Sequence, residues 1–303
     1  MLDLFIRSKE IPGQARNDVR RNMILEPKCD IAAVHDLLVG KIQAYFAGAG
    51  KKKAVLGLSG GIDSALVAAL AVDALGAENV HGILMPSTFS SEGSVSDSRE
   101  LAENLGMSYD IIPIGPVYDR AMEAMAAFFA DGQWSVAQEN LQARIRASIL
   151  MTWSNRFDAL LLNTSNKSEL FTGYGTLYGD LCGAIMVIAD LYKVQVYELS
   201  HYENRLHGKE VIPEAILTKA PSAELRPGQK DTDSLPPYEL LDPVLHALCE
   251  EELTPEEVVA RGTDAALVDR IVRLKRGAAF KAMQIPPVLT VGDHAVVPPF
   301  KQL

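Results

Sequence analysis

The 303-residue sequence predicts an α/β fold: a doubly wound parallel sheet in three layers, with helical additions. Three observations support this prediction. Short apolar runs alternate with segments of helical periodicity, the runs are apolar at successive positions, and a glycine-rich turn joins the first run to a helix. Strands that are apolar on both faces are typical of parallel sheets covered by helices on both sides.

Each predicted strand is a short run rich in Val, Ile and Leu that ends at turn residues or at a helical pattern. The four strands are predicted at residues 54–58, 80–85, 107–114 and 159–163. Between them, apolar residues recur at helical spacing, and cap residues mark several ends. Asp30 is a candidate N-cap, Ser135 and Gln138 form a capping box, and Gly76 and Gly106 are stop signals. The helices are predicted at 30–48, from the glycine-rich turn to Gly76, and at 95–105, 117–130, 136–156, 194–206, 255–260 and 264–283.

Two segments show no regular period. Residues 1–22 are predicted to be a loose tail, Met23 is a candidate for the true start, and residues 23–303 are predicted to form one domain. Residues 219–239 contain four prolines and many polar residues, which predicts a long loop. We expect the segments 86–96 and 219–237 to act as lids over a bound ligand.

Composition excludes several classes of protein. The formal net charge is −10, which argues against a general binder of nucleic acid or of membrane surfaces. No run of 18 apolar residues occurs, and the amino terminus lacks the apolar centre of a secretory signal. The cysteines, Cys29, Cys182 and Cys249, are too few and too far apart for a disulfide scaffold. These features predict a cytoplasmic protein.

The glycine-rich turn SGGIDS, residues 59–64, is a candidate phosphate site. Its two glycines allow close approach of a phosphate to the backbone, and the following helix presents free N–H groups. It is not a Walker loop, because the lysine of that motif is missing. A simple turn is the alternative, but Ser59, Asp63 and Ser64 at fixed offsets favour ligand binding.

A second group of polar residues lies further along the chain. Asn140 and Arg144 share one face of the helix predicted at 136–156, where an ordinary solvated face is the alternative. The segment NTSNKSELFTGYGTLYGD, residues 163–180, follows the fourth strand at the sheet edge where open parallel sheets bind ligands. The six histidines show no HExxH or other metal spacing, and we treat them as structural or exposed.

The SGGIDS turn resembles the SGGxDS loop of the ATP pyrophosphatases, which cleave ATP between its α and β phosphates. Together with ENLQARIR, NTSNKSELFTGYGTLYGD, DLYKVQVYEL and PSAELRPGQKDTDSLPPYELLD, it resembles the NAD synthetase family over most of residues 30–290. The resemblance implies a Rossmann-like, adenine nucleotide α hydrolase-type fold. It also implies amidation of deamido-NAD (nicotinic acid adenine dinucleotide) with ammonia to NAD, AMP and pyrophosphate through an acyl-adenylate, the last step of NAD biosynthesis.

The same resemblance implies the site residues. ATP and Mg²⁺ are the implied co-substrate and metal, Asp63 and Glu169 the implied metal ligands, and Asp63, Glu169 and Lys193 the implied catalytic residues. The implied ATP-binding residues are Gly57, Leu58, Ser59, Gly60, Gly61, Ile62, Asp63, Ser64, Thr164, Lys193 and Ser222. The implied deamido-NAD-binding residues are Asn140, Arg144, Glu169 and Lys281.

The sequence departs from the ammonia-dependent members at three positions. Those members often have Lys, Asp and a basic residue where Leu177, Ala184 and Ala282 stand, and the 222–239 segment is closer to the synthetase half of glutamine-dependent members. Only 58 residues precede Ser59, so we expect no glutaminase domain here. The expected donor is ammonia, free or supplied by a separate amidase, and the family implies a homodimer. The alternatives are an ATP pyrophosphatase that amidates or thiolates another substrate, and a non-catalytic nucleotide-binding module.

Overall fold

The structure is a computed structural model that describes residues 30–292. The sequence predictions for the tail 1–22, for a start at Met23 and for Cys29 lie outside the described residues.

Five parallel strands form a sheet in the order β3-β2-β1-β4-β5. Their bounds are β1 Lys53–Leu58, β2 Val80–Leu84, β3 Ser108–Ile111, β4 Ala159–Asn163 and β5 Ile185–Met186. The four predicted strands are confirmed, although β3 is shorter than the predicted 107–114. Strand β5 was not predicted, because two residues at a sheet edge leave no periodic signal.

Eleven α-helices lie in the part of the chain that the structure describes. They are α1 Ile31–Ala49, α2 Ile62–Leu75, α3 Glu92–Leu105, α4 Gly115–Ala124, α5 Val136–Phe157, α6 Lys167–Thr172, α7 Lys193–His207, α8 Glu214–Thr218, α9 Tyr238–Cys249, α10 Pro255–Ala260 and α11 Ala265–Ala282. The capping box of α5 and the Asp30 cap of α1 are confirmed.

One helix prediction needs correction, and three helices were missed. The predicted helix 117–130 is wrong at its end, because α4 stops at Ala124 and a 3-10 turn covers Ala126–Phe129. Helices α6, α8 and α9 were not predicted. Helix α9 begins inside the predicted loop 219–239 and contains Pro243, which reads as a helix breaker in the sequence.

Helices cover both faces of the sheet, so the three-layer prediction is confirmed. Leu56 of β1 packs toward α1, α2 and α7, whereas its neighbour Val55 packs toward α5 on the opposite face. Helices α9, α10 and α11 form a separate apolar cluster with the start of α7, which is the helical addition that the sequence predicts. No helix within 30–292 has both the length and the apolar character that crossing a bilayer requires.

The strand order positions the site. Strand β1 lies between β2 and β4, so the connections run outward from β1 in both directions. A crevice forms at the carboxyl ends of parallel strands where the direction of winding reverses. The SGGIDS turn leaves β1 at this edge, and residues 164–166 leave β4 beside it.

Candidate functional site

A cavity of about 570 Å³ opens at the carboxyl edge of β1 and β4. The walls are formed by the SGGIDS turn, which we call the phosphate loop, by the first turn of α2 and by one face of α5. Both predicted lids contribute residues to its mouth, among them Ser91 and Glu224. A cleft of this volume at a topological switch point is the usual place for a nucleotide in this architecture.

Hydrogen bonds between residues of the phosphate loop fix its conformation. The Ser64 hydroxyl donates to the Gly61 carbonyl at 3.0 Å and lies 3.1 Å from the Ser59 hydroxyl. Gly60 has a φ of +74°, and a Cβ atom there would lie 2.5 Å from the Ser94 carbonyl oxygen. Only glycine therefore fits at this position, which brings the loop against α3 and leaves the N-terminus of α2 facing the cavity.

Lys193 and Asp63 form an ion pair at the floor of the cavity. Lys193 is only 2 % exposed, and it occupies the first turn of α7 with its ammonium over the Tyr238 ring. Burial would lower the pKa of Lys193, but the carboxylates of Asp63 and Glu169 outweigh it and raise the pKa. The ammonium therefore stays charged.

Asn166 connects Asp63 to Glu169. Its side-chain amide donates to Asp63 Oδ1 at 2.9 Å, and its side-chain oxygen accepts from the Glu169 backbone N–H at 3.0 Å. The Glu169 carboxylate completes a capping box by accepting from the Asn166 N–H. The short helix α6 thus fixes both acids, and Asn166 was not among the predicted site residues.

The surroundings of Glu169 disfavour the ionised form of its carboxyl group. Burial raises the pKa of Glu169 well above its usual range, and the nearby Asp63 raises it further, while Lys193 opposes both. A bound cation would remove this penalty.

A third acid, Asp231, was missed in the sequence. It is 5 % exposed and accepts hydrogen bonds from the hydroxyls of Tyr174 at 3.0 Å and Tyr238 at 2.9 Å. Burial raises the pKa of Asp231, and Lys193 opposes that shift. Asp231 belongs to the segment predicted as a loop, where the structure has a 3-10 turn, so composition concealed a buried position.

Further cations line the cavity, among them Arg146 and Lys219. Arg146 points inward from α5 and donates to the Met85 carbonyl at 3.1 Å, and burial lowers the pKa of Arg146 to about 10, which leaves it charged near neutral pH. Lys219 pairs with Asp97 at 2.5 Å and lies 3.4 Å from the Gly60 carbonyl. The sequence analysis did not assign either residue a role, although Arg146 lies on the face of α5 opposite Arg144.

The two predicted lids contact each other through Glu224. Its carboxylate accepts hydrogen bonds from the hydroxyls of Ser91 at 2.9 Å and Ser94 at 2.8 Å, and from the Ser91 N–H at 3.2 Å. These contacts join the 219–237 segment to the N-terminus of α3. The lid role itself stays a prediction.

The structure brings together every predicted ATP-binding residue. All line the cavity: Gly57, Leu58, Ser59, Gly60, Gly61, Ile62, Asp63, Ser64, Thr164, Lys193 and Ser222. Ser222 is exposed and forms a turn, because its hydroxyl donates to the Gln229 carbonyl at 2.6 Å. The functional roles of these residues stay predictions.

The residues predicted for deamido-NAD do not all lie here. Glu169 lines the cavity, whereas Asn140 and Arg144 lie on the outer side of α5 against the 176–177 segment. Lys281 donates to the carbonyls of Gly173 and Gly175 at 2.7 and 2.5 Å, behind Glu169. The four residues therefore lie in separate places within a single chain, and their role in binding deamido-NAD stays a prediction.

The three residues that differ from the ammonia-dependent members make apolar or backbone contacts in the structure. Leu177 and Ala282 pack against an apolar cluster around Leu181 and Ile285, and the Ala184 carbonyl accepts from the Tyr45 hydroxyl. Cys182 lines the cavity, but burial raises the pKa of its thiol, and the carboxylate of Asp180 raises it further.

Comparisons with known proteins point to one family. The profile of the NAD synthase family matches residues 34–285. The glutamine-dependent NAD(+) synthetase of Synechocystis sp. is 49 % identical over 295 residues, which are 97 % of this chain and 51 % of that protein. The chain thus spans about half the length of the curated relatives it matches.

Two solved structures of similar length share the fold. The NH3-dependent NAD synthetase of Campylobacter jejuni is 33 % identical with a TM-score of 0.67, and the match covers 86 % of this chain and 99 % of that one. The NMN synthetase of Francisella tularensis is 28 % identical with a TM-score of 0.71, over 84 % and 96 % of the two chains. The chain belongs to the NAD synthase family.

Proposed function

We propose that this chain amidates deamido-NAD with ammonia at the expense of ATP, giving NAD, AMP and pyrophosphate through an acyl-adenylate. The observation that carries the proposal is the cavity that brings SGGIDS, Lys193 and the acids Asp63 and Glu169 together. Family membership supplies the expected substrate, and the residues described below supply the chemistry.

The proposed reaction has two steps. An oxygen of the substrate carboxylate attacks the α-phosphorus of ATP, a new O–P bond forms, and the bond to the β-phosphate oxygen breaks. Ammonia then attacks the acyl carbon, AMP leaves with the C–O bond pair, and the ammonium proton passes to solvent. Adenylation is needed because ammonia cannot expel oxide from a free carboxylate.

Each cavity wall has a role in this proposal. The free N–H groups at the start of α2 and the hydroxyls of Ser59 and Ser64 receive the departing pyrophosphate. The ammonium of Lys193 and the guanidinium of Arg146 balance the charge that develops on the phosphates. The lids keep water from the adenylate.

The carboxylates suit Mg²⁺, a hard cation that prefers oxygen ligands. Burial first, and the neighbouring carboxylate of Asp63 second, raise the pKa of Glu169, and a bound cation would favour its ionised form. Asp63 and Glu169 would hold the ion, with Asp231 close to the same cluster. The bound ion would neutralise phosphate charge and orient the pyrophosphate.

The outer face of α5 carries the rest of the substrate in this proposal. Asn140 and Arg144 lie outside the cavity, against residues 176–177. In this proposal, deamido-NAD extends from the ATP site past this face toward a second chain, where the two residues contact it. We therefore propose a homodimer in which this face lies at the interface. A monomeric mass in sedimentation at micromolar concentration would contradict it.

Ammonia is the proposed nucleophile at this site. In the described part of the chain, burial raises the thiol pKa of both cysteines, Cys182 and Cys249, so neither is an activated nucleophile for glutamine. Glutamine then supports the reaction only with an amidase that releases ammonia.

The proposal is tested by incubating the protein with ATP, Mg²⁺ and deamido-NAD, and measuring NAD and AMP with ammonium or with glutamine. Equal amounts of NAD and AMP with ammonium are expected. A parallel reaction with nicotinic acid mononucleotide tests the activity suggested by the NMN synthetase neighbour. Amidation of the mononucleotide in preference to deamido-NAD would overturn the proposed substrate, and ATP binding without AMP formation from either substrate would overturn the ligase function.

A further inference from the structure

Four metal-ligating side chains meet on the face of the sheet that α1, α2 and α7 cover. His35 comes from α1, Asp73 from the last turn of α2, and Glu203 and His207 from the end of α7. Ligand atoms of the first three lie within 4.8 Å of one another. None of these residues lines the ATP cavity.

Glu203 is the central member of the cluster. It is 0 % exposed, its carboxylate oxygens accept no hydrogen bond from an N–H or hydroxyl group of residues 30–292, and the carboxyl group of Asp73 lies within hydrogen-bond reach of it. Its nearest cationic partners are His35 Nε2 at 3.6 Å and His207 Nε2 at 3.7 Å. A buried carboxylate without a hydrogen bond is unfavourable unless a positive charge lies against it.

The distances from the imidazoles of His35 and His207 to the two carboxylates fit ligands around one ion, although His207 lies outside the mutually close set of the other three. Asp73 Oδ2 lies 3.1 Å from His35 Nε2 and 3.2 Å from His207 Nε2, and the Glu203 oxygens lie slightly farther from the same nitrogens. Ligand atoms about 2.0–2.1 Å from a tetrahedral Zn²⁺ are about 3.4 Å apart. The observed imidazole-to-carboxylate separations of 3.1–3.7 Å bracket this value.

The surroundings are also those of a metal site. His35 Nδ1 lies 3.0 Å from Asp36 Oδ1, which is the second hydrogen bond that orients a metal-binding imidazole. His207 is 30 % exposed and provides a path from solvent. Two imidazoles with two carboxylates favour Zn²⁺ over Mg²⁺ or Ca²⁺, which prefer oxygen ligands alone.

We propose that His35, Asp73 and Glu203 form a structural site for Zn²⁺, and that the exposed His207, which lies against Asp73 and Glu203, completes the site when the ion binds. The site joins the carboxyl-terminal ends of α2 and α7, whose amino-terminal ends carry Asp63 and Lys193. Ten residues of helix, about 15 Å, separate each pair of positions. The ion would fix the relative position of the two helices that carry the Asp63–Lys193 pair.

Sequence spacing gave no sign of this site. The ligands come from three helices, and only Glu203 and His207 are neighbours in the chain, at i and i+4. The treatment of all histidines as structural or exposed therefore followed from the lack of a local motif. The packing of α1, α2 and α7 is what brings the ligands together.

Zn²⁺ binding to untagged, chelator-treated protein tests the proposal, with a chromophoric chelator as competitor. One tightly bound Zn²⁺ per chain is expected. Glu203→Gln and His207→Ala should each weaken binding by more than the roughly 10–100-fold typical for loss of an outer-shell partner. Co²⁺ should give the visible absorption of a four-coordinate ion, and Glu203→Gln should abolish it.

Two controls make the result specific. His201→Ala removes an exposed histidine of the same helix and should leave Zn²⁺ affinity unchanged, as should Asp63→Asn in the ATP cavity. The Glu203→Gln variant lacks a buried carboxylate, so its melting temperature should be no lower than that of the metal-free parent. This comparison separates a loss of Zn²⁺ binding from a loss of folding. Absence of Zn²⁺ binding, or equal affinity in the parent and both ligand variants, would overturn the proposal.

Discussion

The ammonium of Lys193 pairs with the carboxylate of Asp63, and this ion pair joins the first turn of α7 to the first turn of α2. Both side chains face the cavity, and Asn166 extends the contact to Glu169. The three predicted catalytic residues, Asp63, Glu169 and Lys193, therefore belong to one connected network of an ion pair and hydrogen bonds.

Lys193→Met should lower kcat by roughly 100-fold or more, because a preorganised charge aimed at the phosphates is lost. It should also lower stability, since it leaves Asp63 without its cation. The measurements are pyrophosphate release and thermal melting. Lys52→Met, at an exposed lysine, is the control and should change neither quantity. Retention of full turnover by the Lys193 variant would exclude it from the chemistry.

Gly60→Ala should weaken ATP binding and destabilise the fold, because its Cβ would overlap the backbone of Ser94. Gly50→Ala is the matched control, since Gly50 has a φ of +64° but open space around it. Each variant should lose about 1–2 kcal/mol from left-handed strain. Denaturant unfolding should show a larger loss of stability for the Gly60 variant than for the Gly50 variant. Titration calorimetry should show a loss of ATP affinity for the Gly60 variant alone. Equal effects of the two variants would argue against the close approach.

Arg146 and Arg144, two residues apart on α5, should affect different substrates. Arg146→Met should raise the KM for ATP, because Arg146 lines the cavity, and Arg144→Met should raise the KM for deamido-NAD alone. Loss of a charge-assisted contact corresponds to about 1.5–3 kcal/mol, or roughly 10- to 150-fold. Steady-state kinetics with each substrate varied in turn measure both. Raised KM for ATP in both variants would contradict this separation.

Glu169→Gln should abolish turnover yet stabilise the metal-free protein at neutral pH. The pKa of Glu169 is raised in the folded state, so its contribution to stability is full below its ordinary pKa of about 4.5 and is lost as pH rises through the folded pKa. The glutamine amide does not ionise, so the variant keeps this stability as the pH rises. Its melting temperature at neutral pH should exceed that of the parent by about 2–4 °C for each kcal/mol of stability regained. Melting curves from pH 4 to 8 should converge at the acid end. A variant that is less stable at every pH would contradict the assigned environment.

Glu224→Ala should free the 219–237 segment from the N-terminus of α3, because three hydrogen bonds to Ser91 and Ser94 are lost. Limited proteolysis should cut this segment faster in the variant, and ATP with deamido-NAD should protect the parent. Glu252→Ala, at an exposed acid distant in sequence, is the control. Equal cleavage rates in the parent with and without substrates would contradict the lid role.

Local patterns predicted most of the sheet and its covering helices. The apolar runs that became β1, β2 and β4 are buried on both faces, so their residue types are dictated by packing and are visible in the sequence. The SGGIDS loop was predictable for a similar reason, because Gly60 meets a steric demand that no other residue satisfies.

The sequence could not reveal α9, because Pro243 and the preceding polar loop carry the signals of irregular structure. Tertiary packing overrides them: Leu241 and Leu245 of α9 enter the apolar cluster of α10 and α11. Asp231 was hidden for the same reason, since its burial depends on Tyr174 and Tyr238 from other segments.

By itself, the sequence determined the fold class, the phosphate loop and the resemblance to a family, because each depends on local periodicity or on a contiguous motif. Only the tertiary structure decided that Asp63, Glu169 and Lys193 form one unit, that Arg146 faces the cavity while Arg144 does not, and that His35 meets Glu203. Contacts between residues far apart in the chain depend on how helices pack across a sheet, and the spacing of residues along the chain does not encode that packing directly.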